Sequence, residues 1–193
     1  MRLFTAISLP DKVRKELTGI QPDHPHIHLT PASQLHLTLR FIGETDKAHA
    51  RRIEMALDHV RFRSFDLVLI GSGAFPSPKH PSVLWIGVRY QPILRELFDA
   101  VQEELGRCGI PPGSRGFHPH VTLGRIRTNR RQSRKGKNPV TEIQPIENAL
   151  DSFFNGEPSG FQTGFHVNSF QLYHSRLHSG GAIHHCLREY QAD

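Results

Sequence analysis

One short pattern, His-x-Thr followed by an apolar residue, occurs twice and constrains the fold more than any other feature. The two copies are His36-Leu37-Thr38-Leu39 and His120-Val121-Thr122-Leu123. On a β-strand successive side chains point to opposite faces, so the His and Thr of each copy share one face. The two apolar residues share the other face, which a core can bury. Two such strands facing each other would surround a small anion with two imidazoles and two hydroxyls.

The elements around the two motifs are predicted to repeat as well. Strand, helix and motif strand follow one another in residues 2–42 and again in residues 83–126, which predicts two similar lobes within a single domain of residues 1–193. The predicted class is α+β, with two antiparallel sheets lining a central cleft and helices outside. Between the repeats the pattern predicts a helix capped by Thr45 and reaching about Val60, then a strand over 65–70 and a loop over 71–82. After the repeats it predicts closing strands over 165–175 and 183–190.

Positive charge is concentrated in the stretch that directly follows the second motif. Residues 125–137 include seven Lys or Arg and no acidic residue, whereas the formal net charge of the whole chain is +6. Such a cluster predicts contact with a polyanion, and Arg130 and Arg131 are candidate contacts. The stretch is predicted to be a loop over residues 127 to about 145. The alternative, a solvated loop without a partner, stays open because charge runs are often simply exposed.

Two facing histidines suit phosphoryl transfer without a metal ion. One imidazole can take a proton from the attacking hydroxyl or water while the other, protonated, gives one to the leaving oxygen. The unperturbed pKa of His, about 6.5, lets both forms exist near neutrality. The Thr38 and Thr122 hydroxyls can donate hydrogen bonds to the non-bridging phosphate oxygens. We discount a third copy, His28-Leu29-Thr30-Pro31, because it lacks the apolar fourth residue and lies outside both motif strands.

Metal binding is the main alternative for a chain with 14 His. The pairs that invite it are His26/His28, His118/His120 and His184/His185, but none has the flanking Cys, Asp or Glu that zinc sites usually show. We therefore predict no metal and no cofactor, and we expect His118 to line the substrate. The two cysteines, Cys108 and Cys186, are isolated, and no apolar run approaches the roughly 20 residues of a membrane span. A cytoplasmic protein without a membrane partner is the expectation.

With these residues the chain resembles the two-histidine (2H) phosphoesterases, and within them the RNA 2′,3′-cyclic phosphodiesterases, also called 2′-5′ RNA ligases. Each matching segment is modest, but their order and spacing together are specific. The segments are residues 2–7, 35–43, 73–76, 83–87, 117–125 and 172–176, the last with a predicted turn at Gly180-Gly181.

The resemblance implies a bilobal fold with a pseudo-two-fold axis and hydrolysis of RNA 2′,3′-cyclic phosphate ends to 2′-phosphates. It implies that His36 is the proton donor and His120 the proton acceptor, whereas the nearly symmetric motifs alone leave this open. Arg125 matches a family arginine that holds phosphate, and Phe41 and Phe117 of the matching segments are predicted to contact substrate. The implied partners are RNA ends or cyclic nucleotides, with no obligatory protein partner.

Two departures from the family pattern bear on function. The stretch between Arg125 and Phe165 is longer and more basic than usual. Where the family tends to carry a Tyr after the glycine turn, this chain has His184, which leaves the role of the C-terminal strand open. Reversible 2′-5′ ligation, a non-catalytic RNA-end-binding protein and a phosphodiesterase acting on another cyclic or 2′-5′ nucleotide remain as alternatives.

Overall fold

A computed structural model gives the fold. It describes residues 1–113, 116–126, 140–178 and 181–193, and in 140–145, 177–178 and 181 it describes the backbone alone. The strands are β1 (Arg2–Ser8), β2 (Ile27–Leu29), β3 (His36–Glu44), β4 (Phe65–Ser77), β5 (His80–Val88), β6 (His120–Ile126), β7 (Gln162–Val167), β8 (Ser169–His178) and β9 (Gly181–Gln191). The helices are α1 (Asp11–Gly19), α2 (Lys47–Leu57), α3 (Pro92–Arg107) and α4 (Val140–Asn155).

The nine strands of the described residues all belong to one antiparallel sheet. Its order is β7-β4-β5-β6-β3-β1-β8-β9, and β2 pairs with β6 beside this path. The predicted α+β class is confirmed, but the two predicted antiparallel sheets are joined edge to edge. The junction is β3 against β6, where Leu37 pairs with Val121. The two motif strands are therefore the central strands of a continuous sheet.

The helices cover one face of the sheet because each carries an apolar stripe. The buried residues of α1 are Val13 and Leu17, and α3 contributes a longer row from Leu94 to Leu105. These side chains join the buried strand residues in one core cluster. The division of the chain into two repeat lobes stays a prediction.

Several predicted boundaries are wrong. Asp46, not Thr45, caps α2, since its carboxylate accepts from the His49 N–H at 2.7 Å, and the helix ends at Leu57, before Val60. The glycines and prolines of 71–82 lie mostly within the β4–β5 hairpin and do not form a loop. The predicted strand over 165–175 is two strands, β7 and β8, which are separated at Asn168. They lie toward opposite edges of the sheet.

The fourth helix, α4, is absent from the sequence prediction. It begins at Val140, so the predicted loop over 127 to about 145 is wrong from that residue onward. Pro145, which marks the end of the predicted loop, is the sixth residue of this helix and lies beyond the first turn in which proline is best tolerated. The basic residues between 127 and 139, and Gly180 of the predicted turn, lie outside the described residues.

Candidate active site

The two motif histidines begin the two central strands, His36 in β3 and His120 in β6. The pair Leu37 and Val121 joins these strands, and both side chains are fully buried toward the helices. Continuing this antiparallel register by one residue places each histidine opposite the threonine of the other motif. Both imidazoles and both hydroxyls therefore lie on the open face of the sheet, as the motif spacing predicted.

Each imidazole is held in the same way by the backbone just before it. The Nδ1 atom of His36 lies 2.7 Å from the Gln34 carbonyl oxygen, and that of His120 lies 2.7 Å from the His118 carbonyl oxygen. Because a carbonyl oxygen can only accept, Nδ1 is the protonated nitrogen of both rings. The Nε2 atom is then the working nitrogen, an acceptor in the neutral ring and a donor in the cationic one.

His36 lies in an aromatic cluster built by strands β1, β8 and β9. Its ring centroid is 5.0 Å from that of Phe4, 6.4 Å from that of Tyr173 and 5.3 Å from that of His184. In a flat sheet β9 would lie about 14 Å from β3. The contact between His184 and His36 therefore indicates that the sheet curves toward its open face.

This environment disfavours the charged form of His36. Burial lowers the pKa of His36 from 6.5 to about 4, against the opposing effect of the hydrogen bond to Gln34. The neighbouring His184 and His120 lower it further, because a second positive charge is unfavourable there. In the free protein His36 is neutral at neutral pH.

His120 lies in a second aromatic cluster, on the other side of the junction. Its ring centroid is 4.9 Å from that of Phe75, 6.1 Å from that of Trp85 and 6.4 Å from that of His118. Burial lowers the pKa of His120, the hydrogen bond to His118 opposes this, and the Arg125 charge adds to the lowering.

Trp85 fits beside His120 because the neighbouring strand has a glycine at the opposing position. Gly73 pairs with Trp85, and a Cβ atom on Gly73 would lie 2.1 Å from the indole ring. Any larger residue would displace the indole. The glycine-rich segment that the sequence suggested to be a loop thus makes room for a wall of the site.

Arg125 reaches the open face because β6 contains a β-bulge. The register between β5 and β6 shifts at Leu123, which has no partner on β5. Under strict alternation Arg125, five residues after His120, would face the helices. With the shift it pairs with Val83 and lies on the face of His120.

The first motif strand contains the same bulge at the equivalent residue. The register between β1 and β3 shifts at Leu39, the third residue after His36, as Leu123 is the third after His120. Phe41 is thereby returned to the open face and pairs with Phe4, 5.8 Å away between ring centroids. Its side chain is 64 % exposed. One half of the site thus presents a cation at this position and the other half an aromatic ring.

The other predicted substrate contacts are placed differently. His118 packs against Phe75 with 5.3 Å between ring centroids, and its carbonyl holds His120. Phe117 stacks on Phe98 of α3 at 4.1 Å, and the structure does not bring it into either aromatic cluster. Arg130 and Arg131 lie outside the described residues.

The third motif copy lies on the short strand β2. His28 pairs with Arg125, at the opposite end of β6 from His120. At about 3.3 Å per residue the two positions are separated by more than 10 Å along the strand. The structure does not place His28 with the two central imidazoles.

Sequence reasoning missed the residues that surround the imidazoles. Phe4, Tyr173, Phe75 and Trp85 all occur in segments that the family resemblance covers, but only pairing across strands shows that they meet the histidines. His184, which departs from the family pattern and leaves the role of the C-terminal strand open, lies against His36 in the structure. In the described part of the chain no group of three or more His, Cys, Asp or Glu could hold a metal ion. None of the helices in these residues is long and apolar enough to span a membrane.

Comparison with known proteins gives matches to one family. A sequence model of the 2′-5′ RNA ligase superfamily matches residues 9–174. An Archaeoglobus fulgidus protein named RNA 2′,3′-cyclic phosphodiesterase is 33% identical over 99% of this chain and 100% of its own length. An Escherichia coli protein of the same name is 29% identical over 93% of this chain and 89% of its own length.

Solved structures share the fold. The crystal structure of Escherichia coli LigT complexed with 3′-AMP superposes with a TM-score of 0.76 at 26% identity, over 99% of this chain and 97% of that one. The crystal structure of TT0787 from Thermus thermophilus gives a TM-score of 0.73 at 25% identity, over 99% and 97%.

Proposed function

Because this chain belongs to the 2′-5′ RNA ligase superfamily, we propose that it hydrolyses RNA 2′,3′-cyclic phosphate ends to 2′-phosphates. The observation that carries the proposal is the matched pair of imidazoles on the two central strands. Each is fixed through Nδ1 to a backbone carbonyl and so leaves Nε2 for the open face. The same activity is named for the relatives from Archaeoglobus fulgidus and Escherichia coli.

The reaction needs one neutral and one protonated imidazole. Nε2 of the neutral ring takes a proton from a water molecule as the water oxygen attacks phosphorus. The bond from phosphorus to the 3′ oxygen breaks, and Nε2–H of the cationic ring protonates that oxygen. Each role contributes about 10² to 10⁴ in rate, and imidazoles on opposite sides of phosphorus match an in-line displacement.

Three side chains would hold the phosphate between the imidazoles. The Thr38 and Thr122 hydroxyls share the face of the histidines and can donate to the non-bridging oxygens. Arg125, returned to this face by the bulge, adds a fixed positive charge. Phe41 offers an exposed ring on which the base of a second nucleotide of the RNA can stack.

The resemblance assigns His36 as donor and His120 as acceptor, and we keep this assignment as part of the proposal. In the free protein burial opposes it, because it holds the pKa of His36 as low as about 4. Donation by His36 therefore requires the bound phosphate, whose negative charge raises the pKa of an adjacent imidazole. Ligation would use the same residues, with a 5′-hydroxyl replacing water.

We also propose that RNA ends and cyclic nucleotides are the partners, that no metal is needed and that the chain acts in the cytoplasm. Cys108 and Cys186 are free thiols, as expected in a reducing compartment. Water is at about 55 M, so hydrolysis should dominate unless a second RNA end is held in place.

The test of the function is phosphorus NMR of an oligonucleotide with a 2′,3′-cyclic phosphate end, incubated in excess chelator. We expect a 2′-phosphate product. A 3′-phosphate would mean that the leaving oxygen is misassigned, and no turnover would favour the non-catalytic alternative.

The test of the roles uses a substrate whose 3′ leaving atom is sulfur, because a thiolate leaves without a proton. We expect His36→Ala and His120→Ala each to lower turnover of the oxygen substrate by about 10² or more. His36→Ala should lose much less on the sulfur substrate, whereas His120→Ala should lose as much on both. The opposite pattern would exchange the two roles. His59→Ala, at an exposed site beyond α2, is the control.

A further inference from the structure

A groove with several polar side chains opens beside His36 and has no part in the acid–base reaction. Its volume is about 350 Å³, and its lining includes Ser8, Tyr173, Gln171, Ser169 and Glu189. Ser8 is the cross-strand partner of His36, and the Tyr173 ring is 6.4 Å from the His36 ring. The groove therefore lies next to the strand pair that carries His36, without being lined by His36 itself, and it extends along β8 and β9 and past His166 and Asn168.

A chain of hydrogen bonds fixes the Glu189 carboxylate in this groove. The Ser8 N–H donates to Gln171 Oε1 at 2.9 Å, and Gln171 Nε2 donates to Glu189 Oε1 at 3.0 Å. Ser169 Oγ donates to the same Oε1 at 2.6 Å. Gln171 is only 4% exposed, so the donors are rigidly held. Both bonds end on Oε1, and Oε2 is left for another donor.

The charge of this carboxylate decides what the groove can bind. Among the residues that the structure describes, no Lys, Arg or His nitrogen lies within 4.0 Å of Glu189, and the neighbouring Arg188 pairs with Asp58 instead. An uncompensated carboxylate repels phosphate. It accepts well from the exocyclic amino group of a base, as carboxylates do from cytosine N4.

The distance suits the base of a nucleotide whose phosphate lies at His36. Glu189 on β9 is three strands from His36, which is about 14 Å in a flat sheet, and the curvature that brings His184 of β9 against His36 shortens this distance. A nucleotide can span the shortened distance from its phosphate to the far edge of its base. The Tyr173 hydroxyl, 2.6 Å from Ser8 Oγ, lies along the way.

We propose that Glu189 is a specificity-determining residue that accepts a hydrogen bond from the exocyclic amino group of the terminal base. The groove is thus a base subsite that favours cytosine over uracil, whose O4 would face the carboxylate as a second acceptor. This inference rests on the proposed function, since it assumes that the nucleotide is held by its cyclic phosphate at His36.

The test compares 2′,3′-cyclic CMP with 2′,3′-cyclic UMP, which differ at the edge that Glu189 would read. We expect kcat/KM to be about tenfold or more higher for the cytosine substrate, as for one hydrogen bond to a charged group. Glu189→Gln keeps an acceptor for Ser169 and Gln171 but replaces Oε2 with an amide NH₂. The ratio of kcat/KM for the cytosine substrate to that for the uracil substrate should therefore fall to about one or below, while the uracil substrate is still turned over. Glu147→Gln, exposed on α4, should leave the ratio unchanged.

Equal kcat/KM for the two substrates in the natural protein would overturn the proposal, as would a Glu189→Gln variant that changes both by the same factor. If neither substrate is turned over, the proposed function fails. The base preference is then decided by the dissociation constants of 2′-CMP and 2′-UMP, which should show the same ratio and the same loss in Glu189→Gln.

Discussion

Acidification should lower the free energy of unfolding, in part because His36 takes up a proton more readily in the unfolded chain. Replacing His36 should remove that part of the decrease. In the fold burial lowers the pKa of His36 from 6.5 to about 4. Between these values the unfolded chain binds more protons than the folded one, so stability falls as pH falls. Taking the two pKa values at pH 4.5, the contribution is about 2.5 kcal/mol.

The measurement is urea unfolding at pH 7.0 and pH 4.5, followed by the fluorescence of Trp85, the single tryptophan. We compare the natural protein with His36→Gln, which cannot take up the proton. On acidification the free energy of unfolding of the variant should fall by about 2.5 kcal/mol less than that of the natural protein. The slope of the unfolding free energy against urea concentration should be the same for both proteins. His120, whose pKa is also lowered, contributes equally to both proteins and cancels. Equal acid losses would refute the idea that His36 is held neutral in the fold.

Three further predictions concern the rest of the site. Thr38→Ala and Thr122→Ala should each raise the activation free energy by about 1.5–3 kcal/mol, one hydrogen bond to a charged group, measured as kcat on a cyclic mononucleotide. His28→Ala should leave that kcat nearly intact; a loss as large as for His36 would show that the wrong motif was discounted. Neutralising the basic residues of 130–137 should leave hydrolysis of a cyclic mononucleotide nearly unchanged but weaken binding of a longer cyclic-ended RNA. For that RNA, the slope of log affinity against log salt concentration should become shallower by about 0.7 for each phosphate contact that is lost. Equal effects on both substrates would favour the solvated loop.

The sequence predicts the reacting side chains of the site better than the aromatic residues that surround them. His and Thr at spacing two require only the alternation of a strand, which is local, and the structure places all four side chains on one face. Phe4 and Trp85 meet the imidazoles only through strand pairing over long sequence separations, which no local pattern contains.

The errors in the fold have the same origin. Gly73 indicates a turn when taken alone, but in the sheet its missing side chain admits the Trp85 ring. Thr45 and Asp46 are both acceptable N-caps, and only the position of the first helical turn decides between them. The resemblance placed Arg125 at the phosphate, whereas strict alternation would have put it on the buried face.

The bulges at Leu39 and Leu123 each take up one residue of chain length without changing the face of the residues that follow. Loss of one residue at Leu123 would remove the bulge and leave Arg125 four residues after His120, where regular alternation keeps it on the open face. Loss of the bulge without loss of a residue would instead turn Arg125 toward the helices. The cation therefore depends on a match between the number of residues in β6 and the presence of the bulge, with no substitution needed at the arginine itself.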